Sequence, residues 1–428
     1  MVVFVARILI WAAFVFLGRS GEVPLYQIEC LQALYDSTNG PSWNFAANET
    51  ANGEIWNFTA IDGNISNPCV SDWQGIYCSS TCTDSDVCNI THISLESFGL
   101  AGSLPTILGT LNTLNMLDFW VNSLTGTVPT ELGLLKMLTY LDLGTNKLSG
   151  TIPTELGELS LLNHFWLDTN RLIGATIPTE LGKLTNVIYF ALQENSLEGT
   201  FPSFLGQFTS AVYINLAFNV LTGTLPSELG VLGMLTQFSF GENQLYGTIP
   251  SSYGNLSSLE ALILFDNSLT GTLPSSLGLL TLLESVSLSR NQLSGTLPTA
   301  FVTISALVFF SVRANQLSGS ESVQLLLQVP QMRVLMLSDN FFSGDVDSSS
   351  VSPLLGLLRL DNNLFTGSKL LPQLCAATGM YEVLISSNAF TGSLPSCIGN
   401  WSDMLNFDVG SNVFSGSIPA AFGSFKTL

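Results

Sequence analysis

Residues Leu138–Pro153 read LTYLDLGTNKLSGTIP, and variants of this stretch recur from about residue 90 to the end of the chain. The stretch holds an apolar–polar alternation (Leu141, Leu143), an asparagine (Asn146) and a turn into a second short apolar segment (Leu148, Gly150, Ile152, Pro153). Aligned on the asparagine, the series runs Asn122, Asn146, Asn170, Asn195, Asn219, Asn243, Asn267, Asn291, Asn315, Asn340, Asn363, Asn388 and Asn412, 24 residues apart with single-residue departures. An earlier copy has Phe98 in the asparagine's place, which makes fourteen repeats, and Leu428 falls where a fifteenth would begin. The 428 residues are therefore read as stacked units sharing one continuous core.

The residues five and three before each asparagine are apolar, as at Leu141 and Leu143 or Leu335 and Leu337. Period two places both on the inward face of a strand. The asparagine turns the chain, and its amide can satisfy backbone groups that a turn leaves open. In the Leu-x-Gly-x-Ile/Leu-Pro segment the glycine allows the bend and the proline blocks further ladder pairing. Thr154–Leu161 is then expected to return along the outer side. Repeat 4 inserts Ala175, and repeats 10 to 12 lose the Gly-x-Ile-Pro signature, which predicts a kink or bulge there.

Residues 1–20 have Arg7, an apolar run Ile8–Leu17 and small residues Gly18 and Ser20, the pattern of a secretory signal peptide or an uncleaved signal anchor. Either sends the rest of the chain to the lumenal or extracellular side. Beyond residue 20 no apolar run reaches 18 residues, so membrane association is expected only through this signal or a segment beyond residue 428. Residues 21–90 are read as an N-terminal Cys-rich cap, and 91–428 as the repeats. Leu25, Ile28, Leu31 and Leu34 predict an amphipathic helix over Pro24–Tyr35, ended by Asn39-Gly40-Pro41. Residues 44–68 are polar and are read as a surface loop.

Five of seven cysteines precede residue 90, a distribution that suggests stapling in an oxidising compartment, against the alternative of buried thiols. Cys69 and Cys78 flank Trp73 and suggest a closed loop, Cys82 and Cys88 could close a second, and Cys30 is left odd. Cys375 and Cys397 fall in the outer segments of adjacent repeats, close enough to bond, or are buried small apolar residues. Asn48, Asn57, Asn64, Asn89, Asn255 and Asn400 head Asn-x-Ser/Thr acceptor sites for N-glycosylation.

The pattern LxxLxLxxNxLxGxIPxxLGxL resembles the plant-type leucine-rich repeat, over roughly residues 24–428. ALYDSTNGPSW and CxxxWxGxxC resemble that family's N-terminal module, and the late cysteine pair resembles those of receptor-like proteins. The resemblance implies an α/β solenoid: a right-handed superhelix with a concave parallel β-sheet and a disulfide-stapled cap. It further implies recognition, as in ectodomains of receptor-like kinases and receptor-like proteins or in secreted inhibitors of cell-wall hydrolases, and no catalysis by the repeats.

Residues six, four and two before each asparagine face away from the core. From repeat 2 the first column reads Met116, Tyr140, His164, Tyr189, Tyr213, the second begins Asp118, Asp142, Trp166, and the third begins Trp120, Gly144, Asp168. Trp120, Tyr140, His164, Trp166, Tyr189 and Tyr213 are accordingly the candidate ligand-binding residues, with Asp118, Asp142 and Asp168 favouring cationic or hydroxyl groups on the ligand. The competing reading is that these aromatics only stack across strands. Asp118 and Asp142 would lie roughly 5 Å apart, near the spacing of a retaining glycosidase pair, but an open surface lacks the desolvated pocket that raises one carboxyl's pKa. His92 and His164 are three repeats apart, about 14 Å, too far to share a metal. No catalytic residue, metal site or cofactor is expected.

The net charge of −20, from 12 basic and 32 acidic residues, argues against nucleic-acid binding. The expected partners are a protein, peptide or glycan on the concave face, with a co-receptor. The chain ends at Phe422–Leu428 without a cap, so a longer protein is expected. Two functions remain: the ectodomain of a cell-surface receptor, or a secreted binding protein such as a hydrolase inhibitor or a cell-wall adhesion protein.

Overall fold

The computed structural model describes residues 23–45, 53–58, 67–79, 88–174, 176–347 and 350–424. The expected signal segment, Asn48, Asn64, Cys82, Ala175 and Leu428 lie outside them. The chain divides into two compact units, Met1–Leu172 and Ile173–Leu428.

The first unit opens with a helix, Leu25–Ser37, which starts after Pro24 and buries Ile28, Leu31 and Leu34 together with Cys30. Asn39 takes a left-handed conformation and ends it, and Gly40 is needed where a Cβ would meet the Tyr35 ring at 2.2 Å. Gln27, also buried, accepts the Ile90 N–H at 2.8 Å and donates to Asn89 Oδ1 at 3.0 Å, joining the helix to the first long strand. Ile76–Cys78 pairs antiparallel with that strand, Ile90–Ser94. The Cys69–Cys78 disulfide, with Cα atoms 5.8 Å apart, closes the loop around the buried Trp73. Cys88 is disulfide-bonded as well, and Cys30 is a free, buried thiol that burial pushes up to about 12. The expected surface loop over 44–68 is corrected within its described part. Trp56 is buried and stacks on Trp73 at 5.6 Å, its indole N–H donates to Gln74 O, and Glu54 exchanges backbone bonds with Asp72 and Gln74. A polar composition hid one aromatic that the cap needs.

Each repeat then contributes a three-residue strand. In the first unit Met116–Asp118, Tyr140–Asp142 and His164–Trp166 follow Ile90–Ser94, parallel and in register. In the second, ten described strands run from Tyr189–Ala191 to Asn406–Asp408 in the same way. The inward pairs such as Leu141 and Leu143, or Leu335 and Leu337, are fully buried. Outer segments after each Pro are mostly 3-10 turns, such as Thr154–Glu158, because five residues between the proline and the next inward leucine allow no longer helix. Their glycines allow close stacking: a Cβ on Gly254 would sit 2.4 Å from Ser276 O.

The asparagine makes the same set of bonds in successive repeats. Asn243 Nδ2 donates to Leu216 O of the preceding repeat at 3.0 Å and to its own Phe240 and Gly241 carbonyls at 3.3 Å, while its Oδ1 accepts the Leu221 N–H at 2.9 Å. The residue before each asparagine is left-handed, with φ from 50 to 58°, even where it is β-branched: Val121, Thr145, Thr169. Such a residue costs about 1–2 kcal/mol, so the turn depends on the bonds the asparagine supplies.

The predicted bulge in repeats 10 to 12 is absent from the main sheet, where Phe309–Ser311, Val334–Met336, Leu357–Arg359 and Glu382–Leu384 keep their register. The departure lies in the outer segments. Without the proline, Glu321–Leu326 and Leu370–Leu374 become α-helices, and the second short ladder breaks after Gln316–Ser318, leaving one bridge from Ser318 to Phe341. Cys375 and Cys397 form a disulfide just after the second of these helices, their Cα atoms 5.7 Å apart.

Replacing Asn243 by Ala leaves the Leu221 N–H without its acceptor and takes one of two donors from each of the Leu216, Phe240 and Gly241 carbonyls, which keep Asn219, Asn267 and the Phe218 N–H. We expect a loss of about 3 kcal/mol in urea unfolding, whereas Gln244→Ala, an exposed neighbour, should change stability by less than about 0.5 kcal/mol.

Candidate functional site

The strands hold their outward residues at a fixed spacing, so the register decides which side chains meet. In the first unit one row runs His92, Met116, Tyr140, His164 and the next Ser94, Asp118, Asp142, Trp166. Tyr140 lies 5.1 Å from His164 and 6.0 Å from Trp166, and the His164 and Trp166 rings are 6.1 Å apart, centroid to centroid. Trp120, Tyr140 and His164 are half-buried. In the second unit Tyr189, Tyr213 and Gln237 form one row, and Ala191, Asn215 and Ser239 the next. Tyr189 is half-buried there.

The expectation of exposed aromatics needs correction at two positions. Trp166 is 3% and Tyr213 8% exposed. Trp166 is packed by Tyr140 and His164 and serves as the base of that cluster, while the Tyr213 hydroxyl accepts from Asn215 Nδ2 at 2.8 Å. Cross-strand stacking is present in this cluster, with the buried Trp166 ring against the half-exposed Tyr140 and His164.

The carboxylates have local duties. Asp118, Asp142 and Asp168 are 3%, 1% and 5% exposed. Asp118 Oδ1 accepts the Trp120 N–H at 3.1 Å and Asp142 Oδ1 the Gly144 N–H at 2.8 Å. Asn215 does the same for Ala217 at 3.0 Å, and Asp408 for Gly410 at 2.9 Å. Where it is Asp or Asn, as in these four repeats, the residue four before the ladder asparagine anchors the backbone two residues on. Gly144 is required where a Cβ would meet Asp168 Oδ1 at 2.7 Å and Asp142 Oδ1 at 3.0 Å. Among the described residues no three His, Cys, Asp or Glu side chains gather to hold a metal ion, and no helix is long and apolar enough to cross a membrane.

A second stretch of the same face escaped the sequence reading. Phe309, Val334 and Leu357 occupy one row in register, and Met336, Arg359 and Leu384 the next. Arg359 pairs with Glu382, and Arg313 with Asp339 at 2.9 Å. The signal was present in the columns themselves, read past repeat 9.

Known proteins match this architecture. The Leucine Rich Repeat family pattern matches residues 137–159, 258–280 and 282–304. No curated protein sequence matches the chain. Among solved structures, a TDR receptor superposes with a TM-score of 0.68 at 30% identity, over 78% of this chain and 62% of that one. The plant peptide hormone receptor RGFR1 in complex with RGF2 gives 0.68 at 26% identity, over 83% and 67%. The Arabidopsis receptor kinase HAESA, in complex with the peptide hormone IDA and the co-receptor SERK1, gives 0.55 at 26% identity, over 95% and 81%. The chain spans less than two thirds of the TDR receptor structure's length.

Burial lowers the His164 imidazole from 6.5 to about 4. Above 6.5 the ring is neutral in both folded and unfolded chains. Between 6.5 and about 4 only the unfolded chain takes the proton, so stability falls as pH falls through that window. The loss should reach about 3 kcal/mol at its acid end. Comparing urea midpoints of the parent and His164→Gln from neutral to acid pH isolates it: the variant should lack this part of the slope.

Proposed function

Since the chain is a plant-type leucine-rich-repeat protein, we propose that it is an extracellular recognition module, the ectodomain of a cell-surface receptor, whose open sheet face binds a peptide or a protein segment. The observation that carries this is the aromatic cluster of Tyr140 and His164 resting on Trp166, with the half-buried Trp120 in the repeat before that of Tyr140. A parallel sheet needs nothing so large on its open face, and half-exposed aromatic rings held by a buried one lose little side-chain entropy on binding. Tyr189 and Tyr213 supply a like pair in the second unit. An extended ligand suits the geometry because successive rows repeat at about 4.8 Å, and the carboxyl groups beside the aromatic cluster favour cationic or hydroxyl-bearing side chains on the ligand.

The TDR, RGFR1 and HAESA structures support this reading, two of them with a bound peptide hormone and one with a co-receptor. We propose the same class of ligand here, and a co-receptor as the partner that completes signalling. The disulfides fit an extracellular location.

Peptides selected against the chain from a secreted display library provide the test. Trp120→Ala with Tyr140→Ala should weaken binding at least about tenfold, near 1.4 kcal/mol, with the fold unchanged by circular dichroism. Phe309→Ala with Val334→Ala should leave it within about twofold. Selected peptides that bind all these variants equally would overturn the assignment.

A further inference from the structure

The outer turns carry an observation that recognition does not use. Twelve and nine residues before each ladder asparagine, the side chains project from the outer segment. In the second unit these pairs read Lys183 and Asn186, Gln207 and Ser210, Val231 and Met234, Asn255 and Ser258, Leu279 and Leu282, Thr303 and Ala306. The apolar pairs are well exposed: Val231 65%, Met234 57%, Leu279 68% and Leu282 52%. They occur in the repeats on either side of Asn255, and the next pairs outward, Gln207/Ser210 and Thr303/Ala306, are polar or small. The four side chains form two exposed apolar spots, one on each side of the Asn255/Ser258 pair.

Asn255 heads the acceptor sequence Asn255-Leu256-Ser257 and is exposed at the end of the turn Ser251–Asn255. That turn is wedged between its neighbours: a Cβ on Gly230 would lie 2.5 Å from Ser252 O, and one on Gly254 2.4 Å from Ser276 O. Ser257 Oγ lies 3.9 Å from where a Cβ of Gly233 would be, between Val231 and Met234. The other described sequon asparagines differ: Asn57 is exposed but lies in the N-terminal cap, outside the outer turns. Asn89 is half-buried, with its Oδ1 taken by Gln27. Asn400 is exposed at the same place in its repeat, but Ala376 and Gly379 precede it and form no apolar flank.

We propose that Asn255 carries an N-linked glycan whose first sugars lie over the two apolar pairs, Val231/Met234 and Leu279/Leu282, and shield them from self-association. The inference rests on the chain entering the secretory pathway. There the oligosaccharide comes from a lipid-linked diphosphate donor. The sugar C1–O bond to the diphosphate breaks, a C1–N bond to Asn255 Nδ2 forms, the amide gives up one proton and the lipid diphosphate leaves. The acetyl methyls and C–H faces of the N-acetylglucosamine rings suit an apolar base, while their hydroxyls restore a wet surface.

The full chain, secreted from plant cells behind its own N-terminus, is to be peptide-mapped after enzymatic glycan release, which turns an occupied asparagine side chain into a carboxylate. Asn255 should be converted. Asn255→Gln and Ser257→Ala should each lose one glycan in mass and raise the fluorescence of anilinonaphthalene sulfonate, and adding Leu279→Ser to Asn255→Gln should reverse the rise. Asn400→Gln should lose a glycan without raising it. A secreted chain with Asn400 occupied and Asn255 bare would overturn the proposal alone. So would an occupied Asn255 whose loss leaves dye binding unchanged. A chain retained in the cell with every sequon bare would overturn the secretory reading and the proposal together.

Discussion

A side-chain amide does in this protein what a backbone ladder does elsewhere. At the end of each short strand the chain must reverse, and two carbonyls and one N–H of two neighbouring repeats need a new partner, while a third carbonyl, as at Gly144, keeps a backbone N–H of the repeat before at 3.2 Å. One asparagine meets all four, as Asn146 does for Phe119, Leu143, Gly144 and Leu124 at 2.9 to 3.1 Å. Leaving such groups unpaired inside the stack would cost about 1–3 kcal/mol each, several times the strain of the left-handed residue that precedes the asparagine. That is why Thr145 and Thr169 can sit at φ 51°. The strain is repeated, small and local, and the bonds that offset it link each repeat to the one before.

Once the turn is held, the rest of a repeat is free to vary. The inward positions must be apolar, and they are. The outer segment need only bridge from the proline to the next leucine, so losing the proline gives a helix at Glu321–Leu326 without disturbing the strand register. The open face carries the least constraint of all. Its side chains contribute little to the core, and composition there can change from Tyr140 and His164 to Ser285 and Ser287 with no change in backbone.

That hierarchy explains what could be read from the residues. Leu141, Leu143 and Asn146 repeat, so the strand, the turn and the side on which each residue falls follow from periodicity. The cap helix shows in Ile28, Leu31 and Leu34. What stayed hidden is carried by single, non-repeating residues whose partners are remote in sequence. Gln27 reaches Ile90 across 63 positions, and Trp56 reaches Gln74 from a polar, sequon-rich stretch. The burial of Trp166 could not be seen either, because it depends on how neighbouring rings tilt rather than on which face they share. The row Phe309, Val334, Leu357 was within reach of the same column logic.

The aspartates of the open face have a structural duty that their hydrogen bonds show directly. Asp118 and Asp142 each tether the N–H two residues on, and that tether fixes the backbone from which Trp120 projects. Geometry alone does not demand a charge, since Asn215 makes the same bond to Ala217 with a neutral oxygen. A buried carboxylate is the costlier choice, because removing it from water is unfavourable unless its remaining acceptor capacity is used. The first unit nevertheless places Asp in two successive strands of that column and a third, Asp168, across Gly144, beside the aromatic cluster. A carboxyl group in place of an amide is therefore the part of this arrangement that the backbone bond does not require, and the ligand proposed above, with a cationic or hydroxyl-bearing side chain over Tyr140 and His164, would make use of it.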